Sequence, residues 1–269
     1  MDLGLDHTLT HELHGSDPDR FWCLVTADPP KRPAVAALLA LNQELGRVAE
    51  QVTQPMAGFI RLQWWREAVE EARAGRPRKH PVAQALPLVL QAGLPVQDIE
   101  ALIDAREREV DDTPIASLEE LVTHARATAG GLQRVVAAIT GGDPGRGERI
   151  GTAYGLIGIL RATGYLARRS RTFLPSELLQ ARGVSRDRIL AGQMSDGLAS
   201  VVKEVLAAAK AEIEGLRPLR GEPATPLLLI DRYQARAIER GGHDPFAAAT
   251  VERPPLLAAR LLLLQTTGL

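Results

Sequence analysis

Cysteine and aromatic residues are scarce in this sequence. Among 269 residues there is one cysteine, and aromatic side chains make up 4% of the chain. The single cysteine, Cys23, excludes an intramolecular disulfide framework and any cysteine-rich zinc or iron–sulfur site. It is typical of proteins from a reducing compartment. We therefore expect a cytoplasmic protein.

A surplus of positive charge is also missing. The 32 Lys and Arg residues balance 33 Asp and Glu residues, and the formal net charge is -1 at pH 7. Non-specific affinity for nucleic acids comes from basic surfaces that neutralise phosphates. We therefore expect no nucleic-acid partner.

Long apolar segments are absent as well. The most apolar late stretch, Leu256–Leu264, is interrupted by Arg260, whereas a helix needs roughly 20 apolar residues to span a bilayer. The N-terminal segment carries Asp2 and Glu12 and lacks the apolar run of a secretory signal. We expect neither a transmembrane anchor nor a cleaved leader, and we expect residues 1–19 to form a disordered tail.

Hydrophobic residues recur at intervals of three and four along most of the chain, without the two-residue alternation of half-buried strands. This pattern predicts an all-α protein. The predicted helices cover residues 33–53, 58–74, 81–91, 96–110, 117–140, 147–169, 196–216, 226–240 and 254–266, with one-turn helices near 175–180 and 185–190. Short connections and the lack of repeats or linkers favour one compact helical domain, residues 20–269.

Prolines, glycines and one capping box mark the predicted helix ends. Proline is tolerated in a first turn, and glycine closes helices in the left-handed conformation. The prolines in question are Pro33, Pro81, Pro226 and Pro254, and the glycines are Gly75, Gly93, Gly141 and Gly241. Ser117 and Glu120 have the spacing of a capping box.

Two adjacent tryptophans stand out in the segment 58–71, GFIRLQWWREAVEE. On a helix, Trp64 and Trp65 point about 100° apart and cannot face the same direction. We predict that one enters the core and that the other meets a neighbouring element, a partner or solvent. Taken alone, the pair is more typical of core anchoring than of a binding site.

Carboxylates cluster between residues 103 and 112, in the sequence IDAREREVDD. Such a cluster can hold magnesium together with substrate phosphates. Arginines interleave with these acids, however, so pairs such as Asp104 with Arg108, or Glu107 with Arg106, can form an exposed ion-paired face. We favour the ion-paired face.

Small residues recur in two later segments. Residues 127–131 read ATAGG, and glycines also punctuate the predicted helix 147–169. Small side chains let another helix or a ligand approach the backbone. The second segment ends in several arginines, which either complement the negative end of the helix dipole or hold a phosphate.

Together these segments resemble the squalene/phytoene synthase family of head-to-head prenyltransferases, over nearly the whole chain. The resemblance rests on Phe21–Trp22, Pro30–Ala34, residues 104–131, Arg161, Phe173–Pro175 and residues 242–246. It implies an all-α isoprenoid synthase bundle around a deep apolar cavity. Active members of this family bind diphosphates through magnesium held by two aspartate-rich motifs.

Both motifs are degenerate in this sequence. The matching positions hold Gly46, Arg47 and Glu50 for the first motif, and Ala162, Tyr165 and Leu166 for the second. Magnesium neutralises the charge on a departing diphosphate, a contribution of several kcal/mol to the rate. The resemblance therefore implies a catalytically inactive protein without a metal cofactor, in which arginines bind an anion instead. These arginines are Arg47, Arg161, Arg168 and Arg171.

The alternative is an active squalene- or phytoene-forming prenyltransferase that holds magnesium with nonstandard acids. The candidate acids are Glu50, Asp104, Glu107, Asp111 and Asp112. We prefer the inactive protein, because these acids do not stand at the motif positions.

The tryptophan segment resembles one branch of the family, which contains the mitochondrial respiratory complex I assembly factor and its bacterial relatives. The signature residues are Arg61, Gln63, Trp64, Trp65, Arg66 and Glu67. This resemblance implies a role in complex I assembly at the inner face of a membrane, with assembly intermediates as partners and an isoprenoid or quinone-like ligand in the cavity. The last helix either contacts the membrane peripherally or, as we favour, packs on the bundle.

Overall fold

A computed structural model describes residues 3–111, 113–247 and 254–267. Within these ranges the chain forms fifteen α-helices and no β-strand, so the predicted all-α class is confirmed. The helices are α1 (Leu3–Ser16), α2 (Pro18–Thr26), α3 (Arg32–Gln51), α4 (Pro55–Arg73), α5 (Pro81–Leu90), α6 (Val96–Asp104), α7 (Glu107–Asp111), α8 (Leu118–Ala125), α9 (Gly131–Thr140), α10 (Pro144–Ala167), α11 (Ser176–Ala181), α12 (Arg186–Leu190), α13 (Asp196–Glu212), α14 (Thr225–Arg240) and α15 (Leu257–Thr267). A 3-10 turn (Pro29–Lys31) precedes α3, and a π-helical turn (Arg126–Gly130) joins α8 to α9.

Two compact units divide the chain, each with its own hydrophobic core. The first unit comprises residues 1–112, 131–148 and 220–226, and the second comprises residues 113–130, 149–219 and 227–269. Leu38, Leu62 and Val136 are fully or almost fully buried in the first core, as are Leu156 and Val202 in the second. Each core excludes water from the apolar faces of its own helices, which is what stabilises helices of this length.

The N-terminal residues form a helix where the sequence analysis expected a disordered tail. Leu9 and Leu13 of α1 are almost completely buried in the first core, and α1 packs on α3. Their four-residue spacing places both on one helix face, a signal too short to predict a helix without its packing partner. Helix α2 then begins at Pro18 behind an Asp17 cap, whose Oδ1 accepts a hydrogen bond from the Arg20 N–H at 3.1 Å. The predicted start of the domain at residue 20 stays a prediction.

Most of the predicted helix ends are found, with corrections of a few residues. Gly75, Gly93 and Gly141 adopt the predicted left-handed conformation, with φ of 76°, 83° and 76°. The prediction for Gly241 is wrong, since the left-handed residues there are Gly242 and His243, with φ of 69° and 60°. Ser117 Oγ accepts a hydrogen bond from the Glu120 N–H at 3.1 Å, as the predicted capping box requires. The Glu120 carboxylate, however, accepts its hydrogen bond from the N–H of Ala116 and not from that of Ser117.

Two of the predicted helices are interrupted. The segment 96–110 breaks into α6 and α7 around Arg106, whose guanidinium donates to Asn42 of α3 and to Glu109, each at 2.8 Å. The segment 117–140 contains the π-helical turn, where the Thr128 hydroxyl donates to the His124 carbonyl at 2.8 Å. A hydroxyl that bonds back to a backbone carbonyl in this way competes with the regular helical ladder.

The small residues allow close helix packing. A Cβ added to Gly155 of α10 would lie 3.1 Å from Ala129 Cβ and 3.2 Å from Ala125 Cβ, both in the second unit. In the first unit, a Cβ on Gly147 would lie 2.6 Å from the Gln133 carbonyl oxygen, closer than van der Waals contact permits. At these glycines it is a neighbouring helix that approaches the backbone.

Candidate functional site

The tryptophan pair lies on α4 in the first unit. Trp65 is 4% exposed and belongs to the core, whereas Trp64 is half-buried, as the sequence predicted for one residue of the pair. The two rings meet edge to face, with centroids 4.8 Å apart. His80 contacts both rings edge to face at 5.7 and 5.2 Å, and its Nδ1 accepts a hydrogen bond from Val82 N–H at the start of α5. The pair thereby joins α4 to α5.

Arg78, in the loop before α5, closes over the outer tryptophan. Its guanidinium lies 5.1 Å from the centre of the Trp64 ring and donates to the Trp64 carbonyl at 3.2 Å. It also donates to Glu71 and to Glu67, each at 2.8 Å. Hydrogen bonds from Arg78 hold the pKa of Glu71 and Glu67 below the usual value, and the same bonds raise the pKa of Arg78. This arrangement fixes the loop on α4.

Arg66 fixes the opposite side of α4. Its Nε donates to Asp104 Oδ1 at 3.0 Å, and its Nη2 donates to Asp104 and Glu107. Partial burial opposes the charge on Arg66, but hydrogen bonds to Asp104 and Glu107 outweigh it and raise the pKa. The exposed ion-paired face is present, and Arg66 of α4 pairs with both acids. Arg106 pairs with Glu109. The sequence analysis did not foresee Arg66, which reaches these acids because α4 packs beside α6 and α7.

The rest of the signature faces outward. Arg61 donates to Gln51, and Gln63 donates to Glu67 at 3.3 Å. Gln63 and Trp64 line a shallow groove of about 450 Å³, together with Phe59, Ile60, Arg66, Glu67 and Glu107. Ile60 is 63% exposed. The signature therefore stabilises the first unit and borders an apolar surface groove.

The positions that the resemblance assigns to the first metal motif lie on α3. Arg47 is exposed and forms an ion pair with Glu44 at 3.3 Å. Glu50 is exposed, and nothing lies within 4 Å of a Cβ added to Gly46. Magnesium requires several oxygen ligands in octahedral geometry. One carboxylate beside a guanidinium does not fit that ion.

The positions assigned to the second motif lie on α10 in the second unit. Arg161, Tyr165 and Arg168 line a pocket of about 400 Å³, whose other walls are Gly164, Ala167, residues 190–192 and residues 245–247. The Arg169 guanidinium lies 3.8 Å from the centre of the Tyr165 ring. We call this cavity the α10 pocket. Alanine, leucine and a tyrosine covered by a cation supply no carboxylate, so these residues do not fit magnesium either.

Two of the four arginines predicted to bind an anion line the same pocket. Arg161 and Arg168 share the α10 pocket. Arg171 does not line that pocket and lies over the ring of Phe173 at 5.4 Å, and Phe173 stacks on His124 at 5.7 Å. Arg47 belongs to the first unit.

The acids of the alternative hypothesis that the structure describes come from three helices, α3, α6 and α7. Asp104 and Glu107 bind Arg66, while Glu50 lies on α3 and Asp111 ends α7. Asp112 lies outside the described residues. Over residues 3–111, 113–247 and 254–267, no group of three or more His, Cys, Asp or Glu side chains is placed to hold a metal ion.

Sequence reasoning missed Arg78 and His80, which lie between the predicted helices 58–74 and 81–91. Both contact Trp64, from fourteen and sixteen residues further along the chain. The available signal was Pro81, directly after His80, because a proline in this position marks the start of a helix. The start of α5 fixes where the loop returns to α4.

The comparisons with known proteins agree with this architecture. A sequence profile of the family described as squalene/phytoene synthase matches residues 13–250. The chain belongs to the squalene/phytoene synthase family. Its fold resembles a dehydrosqualene synthase crystal structure, with a TM-score of 0.75 at 16% identity over 96% of this chain and 94% of that one. It also resembles squalene synthase HpnC from Alicyclobacillus acidocaldarius, with a TM-score of 0.76 at 19% identity over 90% of this chain and 95% of that one. The isoprenoid synthase fold is thereby confirmed.

Within the family, the resemblance to the assembly-factor branch is also confirmed. Human NADH dehydrogenase (ubiquinone) complex I, assembly factor 6, is 26% identical over 271 residues, covering 97% of this chain and 81% of the human protein. As for membranes, the part of the chain that the structure describes contains no helix long and apolar enough to span a bilayer.

Proposed function

We propose that this protein acts in the assembly of respiratory complex I and catalyses no prenyl transfer. Its similarity to human complex I assembly factor 6 extends over 97% of the chain, far beyond one motif. The tryptophan segment, which carries the resemblance to that branch, has a defined place in the first unit as the joint between α4, α5 and α6. We place the protein at the inner, cytoplasmic face of the membrane, where its partners are assembly intermediates of the complex.

The lining of the α10 pocket is the main support for a protein that catalyses no prenyl transfer. The resemblance expects acids at the positions of Ala162, Tyr165 and Leu166, and none of these residues is an acid. Of the three, Tyr165 lines the pocket, together with Arg161 and Arg168, and Arg169 lies over its ring. A fixed cation can hold a diphosphate, but it gives no rate acceleration unless it binds the transition state more tightly than the ground state. We infer that this pocket binds and does not ionise a ligand.

Deletion of the gene in the source organism tests the assembly role. Native gels of the membranes should show less fully assembled complex I and an accumulation of smaller intermediates, both reversed by a plasmid copy. Succinate oxidation is the control, because it uses the same quinone pool without complex I. Normal amounts of assembled complex in the deletion strain would overturn the proposal.

The active prenyltransferase has weaker support, since Asp104 and Glu107 are bound to Arg66 and remote in sequence from the motif positions. Purified protein incubated with farnesyl or geranylgeranyl diphosphate and magnesium should release no diphosphate. Release above the level of a heat-denatured sample would establish the enzyme instead.

The α10 pocket is our candidate for a ligand site. Arg161 and Arg168 suit an anionic head group, and Leu190 and Phe246 provide apolar walls for the start of an isoprenoid chain. Calorimetry with farnesyl diphosphate, without metal, should show binding that Arg168→Ala weakens about tenfold. The exposed Arg188→Ala on α12 is the matched control and should bind as the wild type does. Equal affinities of the wild type and both variants would show that farnesyl diphosphate does not bind in this pocket.

Helix α15 is the candidate for peripheral membrane contact. Leu257 and Leu261 are buried, so one face of the helix packs within the protein, as the sequence favoured. Leu262 and Leu263 are 63% and 60% exposed and can enter a head-group layer. Replacement of both by serine should abolish flotation with anionic vesicles while the packed face stays intact. Flotation of the double variant, or none of the wild type, would exclude contact through this helix.

A further inference from the structure

Helices α13 and α14 of the second unit enclose a groove that the proposed function does not use. Its volume is about 830 Å³. The lining residues are Lys203, Leu206, Ala207, Lys210, Ala211, Ile213, Glu214, Gly215, Arg232, Ala235, Arg236, Glu239 and His243. We call it the α13–α14 groove.

The two helices run antiparallel along the groove. Lys210 Nζ forms an ion pair with Glu239 at 2.7 Å, and Arg232 donates to the Leu216 carbonyl. The earlier residue of the first segment, Lys210, thus contacts the later residue of the second, Glu239, and Leu216 contacts the earlier Arg232. Between Lys203 and Ala211 the α13 wall rises about 12 Å, at roughly 1.5 Å per residue. A guest helix of about two turns has this length.

The uncharged lining residues, which we call the floor of the groove, are mostly small and apolar, and Leu206 and Ile213 are the larger ones. Ala207, Ala211 and Ala235 carry only methyl groups, and Gly215 carries no side chain. Short side chains allow the backbone of another helix to approach closely, as in ridge-into-groove packing. A bilayer surface is too flat to follow a concave groove of this kind, so the shape favours a helix.

The rim of the groove is basic. Lys203, Lys210, Arg232 and Arg236 face only two carboxylates, Glu214 and Glu239. Glu239 is already bound to Lys210. Neither Lys203 nor Arg236 forms an ion pair with any of the residues described, and both are exposed. An occupant with carboxylates along its edges would complement this charge.

We propose that the α13–α14 groove binds an amphipathic helix of a partner protein, with small apolar residues toward the floor and acidic residues toward Lys203 and Arg236. Helix-in-groove recognition needs both features, an apolar floor for affinity and a charged rim for specificity. This inference does not depend on a role in complex I assembly, since it concerns the chemistry of the partner and not its identity.

A designed peptide tests the charge preference on the purified full chain. The probe is a fluorescent, stapled fourteen-residue helix with an alanine and leucine face and glutamate edges; the control probe has lysine edges. Fluorescence anisotropy should show at least tenfold tighter binding of the glutamate peptide. Arg236→Glu should reduce that affinity at least fivefold, whereas Arg240→Glu, on the same helix but outside the groove lining, should not. Equal affinities for the two probes, no binding, or equal effects of the two variants would overturn the proposal.

Site-specific crosslinking tests the occupant in cells. A photoreactive residue at Ala211, inside the groove, should crosslink to a peptide segment that mass spectrometry identifies as an acidic amphipathic helix. The same residue at Arg240 should not give this product, and Arg236→Glu should reduce its yield. Crosslinking of Ala211 to phospholipid would assign the groove to membrane lipid and overturn the proposal, as would a product that Arg236→Glu leaves unchanged.

Discussion

Arginines have opposite roles in the tryptophan site of the first unit and the α10 pocket of the second. In the tryptophan site, Arg66 and Arg78 are each held by two carboxylates. In the α10 pocket, Arg168 lines the cavity without a carboxylate partner among the residues described, and Arg169 covers the ring of Tyr165. The same residue type is structural where acids neutralise it and is available to a ligand where they do not.

The difference also explains why the tryptophan site retains the residues typical of the assembly-factor branch, whereas the α10 pocket has lost the acids of the second metal motif. The tryptophan site joins three helices through rings and ion pairs, so its residues depend on one another. In the α10 pocket, Arg161, Tyr165 and Arg168 project from a single helix, and Arg169 of the same segment covers the Tyr165 ring. Coupled substitutions in the first region should therefore be much more destabilising than single substitutions in the second.

The largest expected effect comes from the buried member of the tryptophan pair. Trp65→Ala should lower the free energy of unfolding by about 3–5 kcal/mol, because it leaves a cavity in the first core. Trp64→Ala, at the half-buried position, should cost about 1–2 kcal/mol. Chemical denaturation of both variants measures the difference. Equal losses would show that the two rings share one environment, contrary to the structure.

Two glycines of α10 provide the next test, since they differ in what surrounds them. Gly147→Ala forces a Cβ against the Gln133 carbonyl and should destabilise the protein by about 1–3 kcal/mol. Nothing lies within 4 Å of a Cβ at Gly158, so Gly158→Ala should stabilise it by up to about 1 kcal/mol through helix propensity. The melting temperatures of the two variants should shift in opposite directions from that of the wild type. A shift in the same direction would contradict the close packing at Gly147.

A matched pair of arginine substitutions compares the two regions directly. Arg66→Ala removes the bonds to Asp104 and Glu107 and should lower the free energy of unfolding by about 1 kcal/mol, as expected for partly exposed ion pairs. Arg168→Ala should change it by less than about 0.5 kcal/mol, the usual range for surface positions. Urea unfolding measures both. A larger loss for Arg168→Ala would make the α10 arginines structural as well.

The smallest expected effect is a dependence on pH. Because Arg78 lowers the pKa of Glu67 and Glu71 below their ordinary value of 4.5, their contribution to stability is complete above pH 4.5 and is lost as pH falls through the lowered values. Arg78→Met should therefore melt below the wild type at pH 7, with a gap that narrows under acid conditions. A gap that is independent of pH would show that Arg78 acts only through packing on Trp64.

Local sequence signals predicted most of the fold. Residue spacing and the prolines at helix starts gave the all-α class and most helices to within a few residues. The bond between Arg106, at the break between α6 and α7, and Asn42 could not be predicted, because the two residues are 64 positions apart in sequence. In the π-helical turn, the Thr128 hydroxyl bonds back to the His124 carbonyl, which helical periodicity alone does not predict.

The sites were less accessible from sequence than the fold. The tryptophan pair was identified, and so was the division of roles between its members. Arg78 and His80 were not, because only the return of the loop to α4 brings them onto Trp64. The walls of the α10 pocket come from residues near 164, 191 and 246, which only the fold brings together. No spacing rule connects segments so far apart in the chain.

The central claim is that this chain supports complex I assembly without prenyl transfer, and a rescue experiment tests it most directly. The rate of NADH:ubiquinone oxidoreduction is measured in membranes of a deletion strain that carries either this chain or a catalytically active squalene synthase of the same family. We predict that this chain restores the rate and that the active synthase does not. Restoration by the synthase, or an undiminished rate in the deletion strain itself, would contradict the account.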